Sequence, residues 1–298
     1  MQPIQTEASP LRDGLRRNAV VRLAVMAPCL FGWLIGFAIL AKPAVRRMAP
    51  AGSFLGDSAQ LGQALVYVAI ALALYRILIR TFERRPTVEL ASSPGTRLAV
   101  IGFLIGITLC CSVVGVLCLA GAARVDGLGD RSQFIAQLSA ATIAAVGEEL
   151  LFRGVLFRIL EQATGTLCAL LSSALIFGLT HLLNPEATLF SSLAIAIEAG
   201  LLLGLAFVST RNLWFPIGIH LAWNFTQGGI FDAAGAGTAS HSLFALILSG
   251  PDWLTGGSMG TNDSAVTVVL CLALSGGFAG LAGKRGRLKC RRWRLQLD

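Results

Sequence analysis

Apolar residues come along this chain in long runs, broken by short polar or basic stretches, with no sustained alternation of the kind a half-buried strand shows. A helix needs about 20 apolar residues to cross the hydrocarbon core of a bilayer. Eight segments meet that requirement, roughly 20–41, 60–80, 97–121, 134–158, 164–184, 190–209, 213–231 and 264–283. No segment carries the inside–outside alternation of a barrel strand, so helices are left to satisfy the backbone in lipid. The first run is longer than the apolar core of a signal peptide, about 7–15 residues, and reads as a retained span. The pattern predicts an all-α, polytopic transmembrane helical bundle of about eight spans. It divides the chain into a tail at 1–19, helices at 20–132, a helical core at 133–231, a loop at 232–263, and a last span with a basic tail at 264–298.

Composition agrees. The 298 residues are 55% hydrophobic and only 13% charged, with a mean hydropathy of +0.72. Soluble domains carry roughly 25% charged residues, and about half that supply does not cover a water-exposed surface. A net charge of +8 raises the question of nucleic acid. The arrangement answers it, because the Lys and Arg stand in short blocks between apolar runs, where they set membrane orientation. Arg12, Arg16 and Arg17 precede the first run; Arg80, Arg84 and Arg85 follow the second; Arg158 and Arg211 follow the fourth and sixth; and 284–294 is densely basic. The 232–263 stretch has no Lys or Arg, only Asp232, Asp252 and Asp263, and its middle from His241 to Trp253 is apolar enough for an interfacial or extracytoplasmic loop. Both termini are therefore expected in the cytoplasm, and the Ala- and Leu-rich, short-loop style points to a bacterial inner membrane. Lys42, Arg46 and Arg47 disagree with this orientation unless they form an interfacial helix. Most of the seven Cys (Cys29, Cys110, Cys111, Cys118, Cys168 and Cys271 among them) lie in apolar runs without a CxxC spacing and read as small buried hydrophobes.

The chemistry is in the charges that the apolar runs should not contain. On insertion scales each costs about 2.5–3.5 kcal/mol at bilayer depth, so it persists only if paired or beside a wet cavity. The fourth run holds Glu148, Glu149 and Arg153. Glu149 and Arg153 have the i, i+4 spacing of a helical ion pair with the acid first. Glu148 points about 100° away and has no partner on its own helix, which leaves it for acid–base work. His181 lies four residues after Phe177 in the fifth run, and His220 and Asn224 share one helix face in the seventh. Bundles build sites in their core from facing helices, and polar groups on three separate spans predict one shared site. Glu198, in the sixth run, reads as a structural acid between helices. Gly127-Leu128-Gly129-Asp130 reads as a turn, and Gly256-Gly257-Ser258-Met259-Gly260 as a flexible linker, since a nucleophile elbow needs a strand-to-helix turn in an α/β sheet.

At these residues the chain resembles the CPBP intramembrane proteases, which include the type II CAAX prenyl endopeptidases and bacteriocin-processing or immunity-type relatives. The family's Glu-Glu-x-x-x-Arg is matched by Glu148, Glu149 and Arg153, its Phe-x-x-x-His by Phe177 and His181, and its His-x-x-x-Asn by His220 and Asn224. Gly200, Gly204 and the approach Leu213-Trp214-Phe215-Pro216-Ile217 are similar to the family's habit. The likeness covers about 135–230. It implies an intramembrane endopeptidase acting on a membrane-associated peptide or protein, with membrane lipid as its surroundings and no nucleic acid. In one scheme Glu148 activates a water oriented by His181, while His220 and Asn224 hold the oxyanion. In the other, His181, His220 and Glu148 hold a divalent metal such as zinc. A non-catalytic scaffold or immunity-type binding protein of the same fold is the rival reading. A small-solute transporter is a third, disfavoured because no second half mirrors the motif-bearing spans. One difficulty is depth. Glu148 falls about 15 residues, or about 22 Å, into its span, while His181 is nearer one face.

Overall fold

The computed structural model describes residues 18–48, 52–184, 187–231, 233 and 242–289. Arg12, Arg16, Arg17, Asp232, His241, Cys290 and the tail beyond 289 lie outside the described residues, as do the side chains of Lys42, Arg46 and Ser258. Eight helical rods run up and down. Helix α1 is Ala19–Met48, α2 is Phe54–Leu78 with a π-helical end Ile79–Glu83, and α3 is Ser92–Leu119. Helix α4, Phe134–Glu149, passes through a π-helical stretch, Leu150–Phe157, into α5, Arg158–Thr164. Next come α6, Thr166–Thr180, and then α7, Leu189–Ile195, which widens into a π-turn, Ala196–Leu201, before α8, Leu202–Thr210. Helix α9, Trp214–Phe225, also ends in a π-turn, Thr226–Ile230. A short α10, Asp252–Thr255, precedes α11, Ala265–Lys284.

Among the described residues six rods are long and apolar enough to cross a membrane: Ala19–Val45, Phe54–Glu83, Ser92–Leu119, Thr166–Leu183, Leu189–Thr210 and Ala265–Lys284. The two that fall short are the fourth and seventh, the rods that carry the first and third motifs. The seventh is apolar but too short, spanning only 214–230, and the fourth carries Glu148, Glu149, Arg153 and Arg158; both are shielded by the other rods. Almost every side chain from Leu150 to Phe157 is buried, and α9 buries eight of its twelve residues. A helix shielded by protein need not be apolar, whereas the outer rods expose Ile39, Leu65, Leu104, Leu171 and Val269 on their outward faces. That is the inside-out economy of a bundle in lipid, where close packing replaces the hydrophobic effect between helices. Helices α3 and α9 approach so closely that a Cβ at Gly102 would strike the Phe215 carbonyl and one at Gly106 the Ile219 carbonyl.

Three expectations need correction. The stretch 42–48 is no separate interfacial helix; α1 continues unbroken through Met48. The segment around Gly127 is not simply a turn, the 232–263 loop contains a strand, and 256–260, read as a flexible linker, enters the 3-10 stretch Gly257–Asp263. Ala123–Leu128 (β1) pairs antiparallel with Phe244–Leu248 (β2), in the register Ala123↔Leu248, Val125↔Leu246 and Leu128↔Phe244. The ribbon is short, mostly uncovered and irregular at Gly127 (φ +119°), so it leaves no periodic trace in the sequence. The cysteines, finally, are not uniformly buried: Cys110 and Cys271 are, while Cys29, Cys111 and Cys168 are exposed on the bundle's outer face.

The end of the bundle opposite this ribbon is ionic. Glu83 meets Arg158 at 2.6 Å, Arg85 at 2.6 Å and Arg22 at 3.5 Å. Glu89 takes Arg85 at 2.8 Å and the Tyr75 hydroxyl. Glu161 takes Arg211 at 2.5 Å and Lys289 at 3.3 Å. The blocks that follow the second, fourth, sixth and last runs are thereby gathered at one end, as the charge pattern required of them.

Candidate active site

The motif residues of the site come from the fourth, fifth and seventh rods. Glu149 is the last residue of α4 and is wholly buried; Arg153 lies one turn on, 2% exposed. Their ion pair forms as the spacing predicts, with Arg153 Nη1 donating to Glu149 Oε1 at 2.7 Å. The guanidinium does more than the sequence revealed. Its Nη2 donates to the carbonyls of Ala199 at 2.6 Å and Gly200 at 3.1 Å, in the π-turn of the sixth rod. A π-turn leaves carbonyls without their usual helical donors, and the fork of an Arg suits such a pair. The same Glu149 oxygen accepts from His220 Nδ1 at 3.0 Å. The Glu149–Arg153 pair thus joins the fourth, sixth and seventh rods.

Glu148 faces the other way. Its side chain is 22% exposed against 0% for Glu149, and its Oε2 lies 3.8 Å from His220 Nε2. His181 begins the 3-10 turn His181–Leu183 that ends the fifth rod, and its Nδ1 lies 2.9 Å from the Phe177 carbonyl. A carbonyl only accepts, so Nδ1 carries the hydrogen and Nε2 is left for other work. Phe177, 1% exposed, is the ring on which the site rests: the Arg153 guanidinium lies 4.8 Å from its centroid, and the His181 and His220 rings lie 4.9 and 6.3 Å away.

Glu148, His181, His220 and Asn224 line one cavity of about 210 Å³. The depth difficulty disappears in the fold. The rod holding Glu148 starts at Phe134 and the fifth rod ends at His181, yet both side chains line the same chamber, so the distance counted along the spans does not keep them apart. Glu149 and Arg153 stand behind the wall and do not line it. Among the described residues no group of three or more His, Cys, Asp or Glu side chains is arranged to hold a metal ion. His181, His220 and Glu148 share the chamber but do not come together as a ligand set.

Sequence reasoning missed several lining residues. Glu198 was read as structural, yet it lines the cavity at 6% exposure, with Oε1 lacking a partner among the described residues. Its lone charge in an apolar run was the available signal, but the direction it faces was not. Met259 and Asn262 reach the cavity from the 3-10 stretch Gly257–Asp263, and Trp223 from α9. Nothing in the Gly-rich loop marked the first two.

Fold and site together define a multi-span helical membrane protein with a polar, histidine-bearing chamber enclosed by its rods. Residues 130–226 match the family model described as Type II CAAX prenyl endopeptidase Rce1-like, a stretch that runs from just before α4 through α9 and contains all three motifs. Over that stretch the resemblance drawn from the motifs is borne out. No curated protein and no solved structure matches the chain.

Proposed function

We propose that this protein is an intramembrane endopeptidase that hydrolyses a peptide bond of a membrane-associated peptide or protein. The observation that carries this is the convergence of Glu148, His181, His220 and Asn224 from three rods on one chamber; the similarity to a prenyl-endopeptidase family points the same way.

The chemistry follows from which groups are occupied. Glu149 is held by Arg153 and His220, so it is a positioning residue. Glu148 has an open face and is the base that takes a proton from water as the water attacks the carbonyl carbon. His181, tethered through Nδ1, offers Nε2 to orient that water. His220 donates Nδ1–H to the Glu149 carboxylate; with Nε2 also protonated it is an imidazolium whose charge that carboxylate offsets. Nε2–H and the Asn224 amide then donate to the oxyanion, the kind of preorganised contact that lowers a barrier most. Glu148 returns its proton to the leaving amine. The 3.8 Å between Glu148 and His220 Nε2 is longer than a direct hydrogen bond, and both atoms can reach one oxygen placed beside them. No step is routed through a metal, because the potential ligands are not gathered for one.

The test is Glu148→Gln in proteoliposomes with a cleavable single-span substrate. Turnover is expected to fall to background while the protein accumulates normally; undiminished turnover would refute the role given to Glu148. The rival scaffold reading draws on the Glu149–Arg153–Ala199 tie, which is a helix staple in its own right. It predicts that Glu148→Gln depletes the protein and removes no separable activity.

A further inference from the structure

Three glutamates stand around the chamber, and two have a basic group beside them. Glu149 has Arg153 and His220, and Glu148 has His220. Glu198 has neither. It sits in the π-turn Ala196–Leu201, is 6% exposed, lines the chamber, and its Oε1 finds no partner among the described residues. Arg153 fixes the turn that aims it, by gripping the carbonyls of the next two residues, but its guanidinium is already engaged there and on Glu149.

The surroundings add more negative charge. Asp263, 7% exposed, is close enough to interact electrostatically with Glu198, and its own Oδ1 lacks a partner among the described residues. Among the described residues no Lys or Arg lines the chamber. Ile195, Ala199, Leu202, Leu203 and the Cys271 thiol line the same chamber, with Asn184 and Asn262 as uncharged polar groups. A buried polar atom without a partner costs about 1–3 kcal/mol, and an unpaired charge more. Such a group is complemented by a cation that arrives with its own donors.

We propose that Glu198, backed by Asp263, forms a cation subsite of the chamber, which takes the ammonium or guanidinium group of a Lys or Arg side chain in the peptide substrate. The proposal deepens the peptidase reading and rests on it for the substrate being a peptide. Glu198 selects the substrate; it does not take part in the proton transfers assigned to Glu148.

The experiment separates the two readings by measuring binding where no turnover occurs. In full-length Glu148→Gln protein in nanodiscs, Glu198 is the remaining carboxyl among the described lining residues. Affinities are measured by calorimetry for N-acetyl-lysine amide and its uncharged counterpart N-acetyl-norleucine amide. The lysine probe is expected to bind about tenfold tighter, the gain of one charge-assisted hydrogen bond. Adding Glu198→Gln is expected to bring the two probes to within about twofold of each other, since the amide offers no charge. Equal affinities in the Glu148→Gln protein would overturn the subsite, and so would a lysine preference that survives Glu198→Gln. Should the double variant fail to accumulate, the comparison of probes on Glu148→Gln alone still decides. In parallel, wild-type proteoliposomes receive a single-span peptide carrying Lys or norleucine near the cleavage site. Failure to cut either peptide counts against the peptidase reading and leaves the binding result standing.

Discussion

Glu148 and Glu149 are adjacent in the chain and opposite in circumstance. Glu149 is sealed in the protein and tied to Arg153 and His220; Glu148 opens on the chamber. Their division of labour was legible in the sequence, because helix spacing alone pairs Glu149 with Arg153 and leaves Glu148 over. The partners across helices were not legible, since no local spacing tells His220 to meet Glu149 or Arg153 to reach the Ala199 carbonyl. Glu198 shows the limit best: its presence was visible, its direction was not. Two predictions belong at this scale. Asn224 lines the chamber, so Asn224→Ala is expected to lower kcat by about 10²–10³ with a smaller change in KM, the pattern of a donor that acts mainly in the transition state. Arg153→Met removes the guanidinium shared by Glu149 and the Ala199 and Gly200 carbonyls and is expected to cost about 3–5 kcal/mol of stability. Thermal unfolding in detergent checks it, and an unchanged midpoint would show that this guanidinium does not hold the rods together.

The rods were readable from the sequence because lipid permits so little else: an uninterrupted apolar run of spanning length has to be a helix. The π-turns were not readable. Each is one widened turn within a rod, and it leaves the hydrophobic pattern unchanged while re-aiming Arg153 and Glu198. The β1–β2 ribbon was missed for a related reason, being too short and too exposed to impose an alternation. Packing between rods is carried by small residues, and here the glycines of α3 give a matched pair of tests. A Cβ at Gly106 would run into the Ile219 carbonyl and the Ala222 methyl, beside His220, whereas a Cβ at Gly115 on the same helix meets nothing within 4 Å. Gly106→Ala is expected to push α9 outward, costing about 1–3 kcal/mol and lowering turnover through the displaced imidazole. Gly115→Ala is expected to be neutral or to stabilise by up to about 1 kcal/mol through helix propensity. Unfolding midpoints and turnover of the two variants, measured side by side, check this; equal losses would mean that α3 and α9 do not depend on close approach.

At the scale of the whole molecule the two ends differ in kind. One holds the chamber; the other holds carboxylates that bind the rods together through Arg and Lys. The grouping of basic blocks at one end was implied by their positions after alternate runs, but their acidic partners, Glu89 and Glu161, had no visible role. Burial raises both carboxyls. At Glu89 the Arg85 and Tyr75 hydrogen bonds outweigh it, at Glu161 those from Arg211 and Thr166 do, and both groups sit below the usual carboxylate range. A carboxyl lowered in the folded state releases its proton more readily there than in the unfolded chain. Its contribution to stability is therefore fully present above the unfolded value, about 4.3 for Glu, and is lost as pH falls from there through the folded value. Acidification from pH 7 is expected to leave the ionic end intact until about that point and then to loosen it before the chamber end opens. Hydrogen exchange read by peptide should show early loss of protection in 83–91, 209–214 and 285–289. Glu161→Gln removes one of the carboxylates that tie this end together, the one that holds Arg211 and Lys289, so its protection in 209–214 and 285–289 should be lower at pH 7 and change less between pH 5 and pH 3. Uniform loss along the rods would show instead that these ion pairs do not hold that end together.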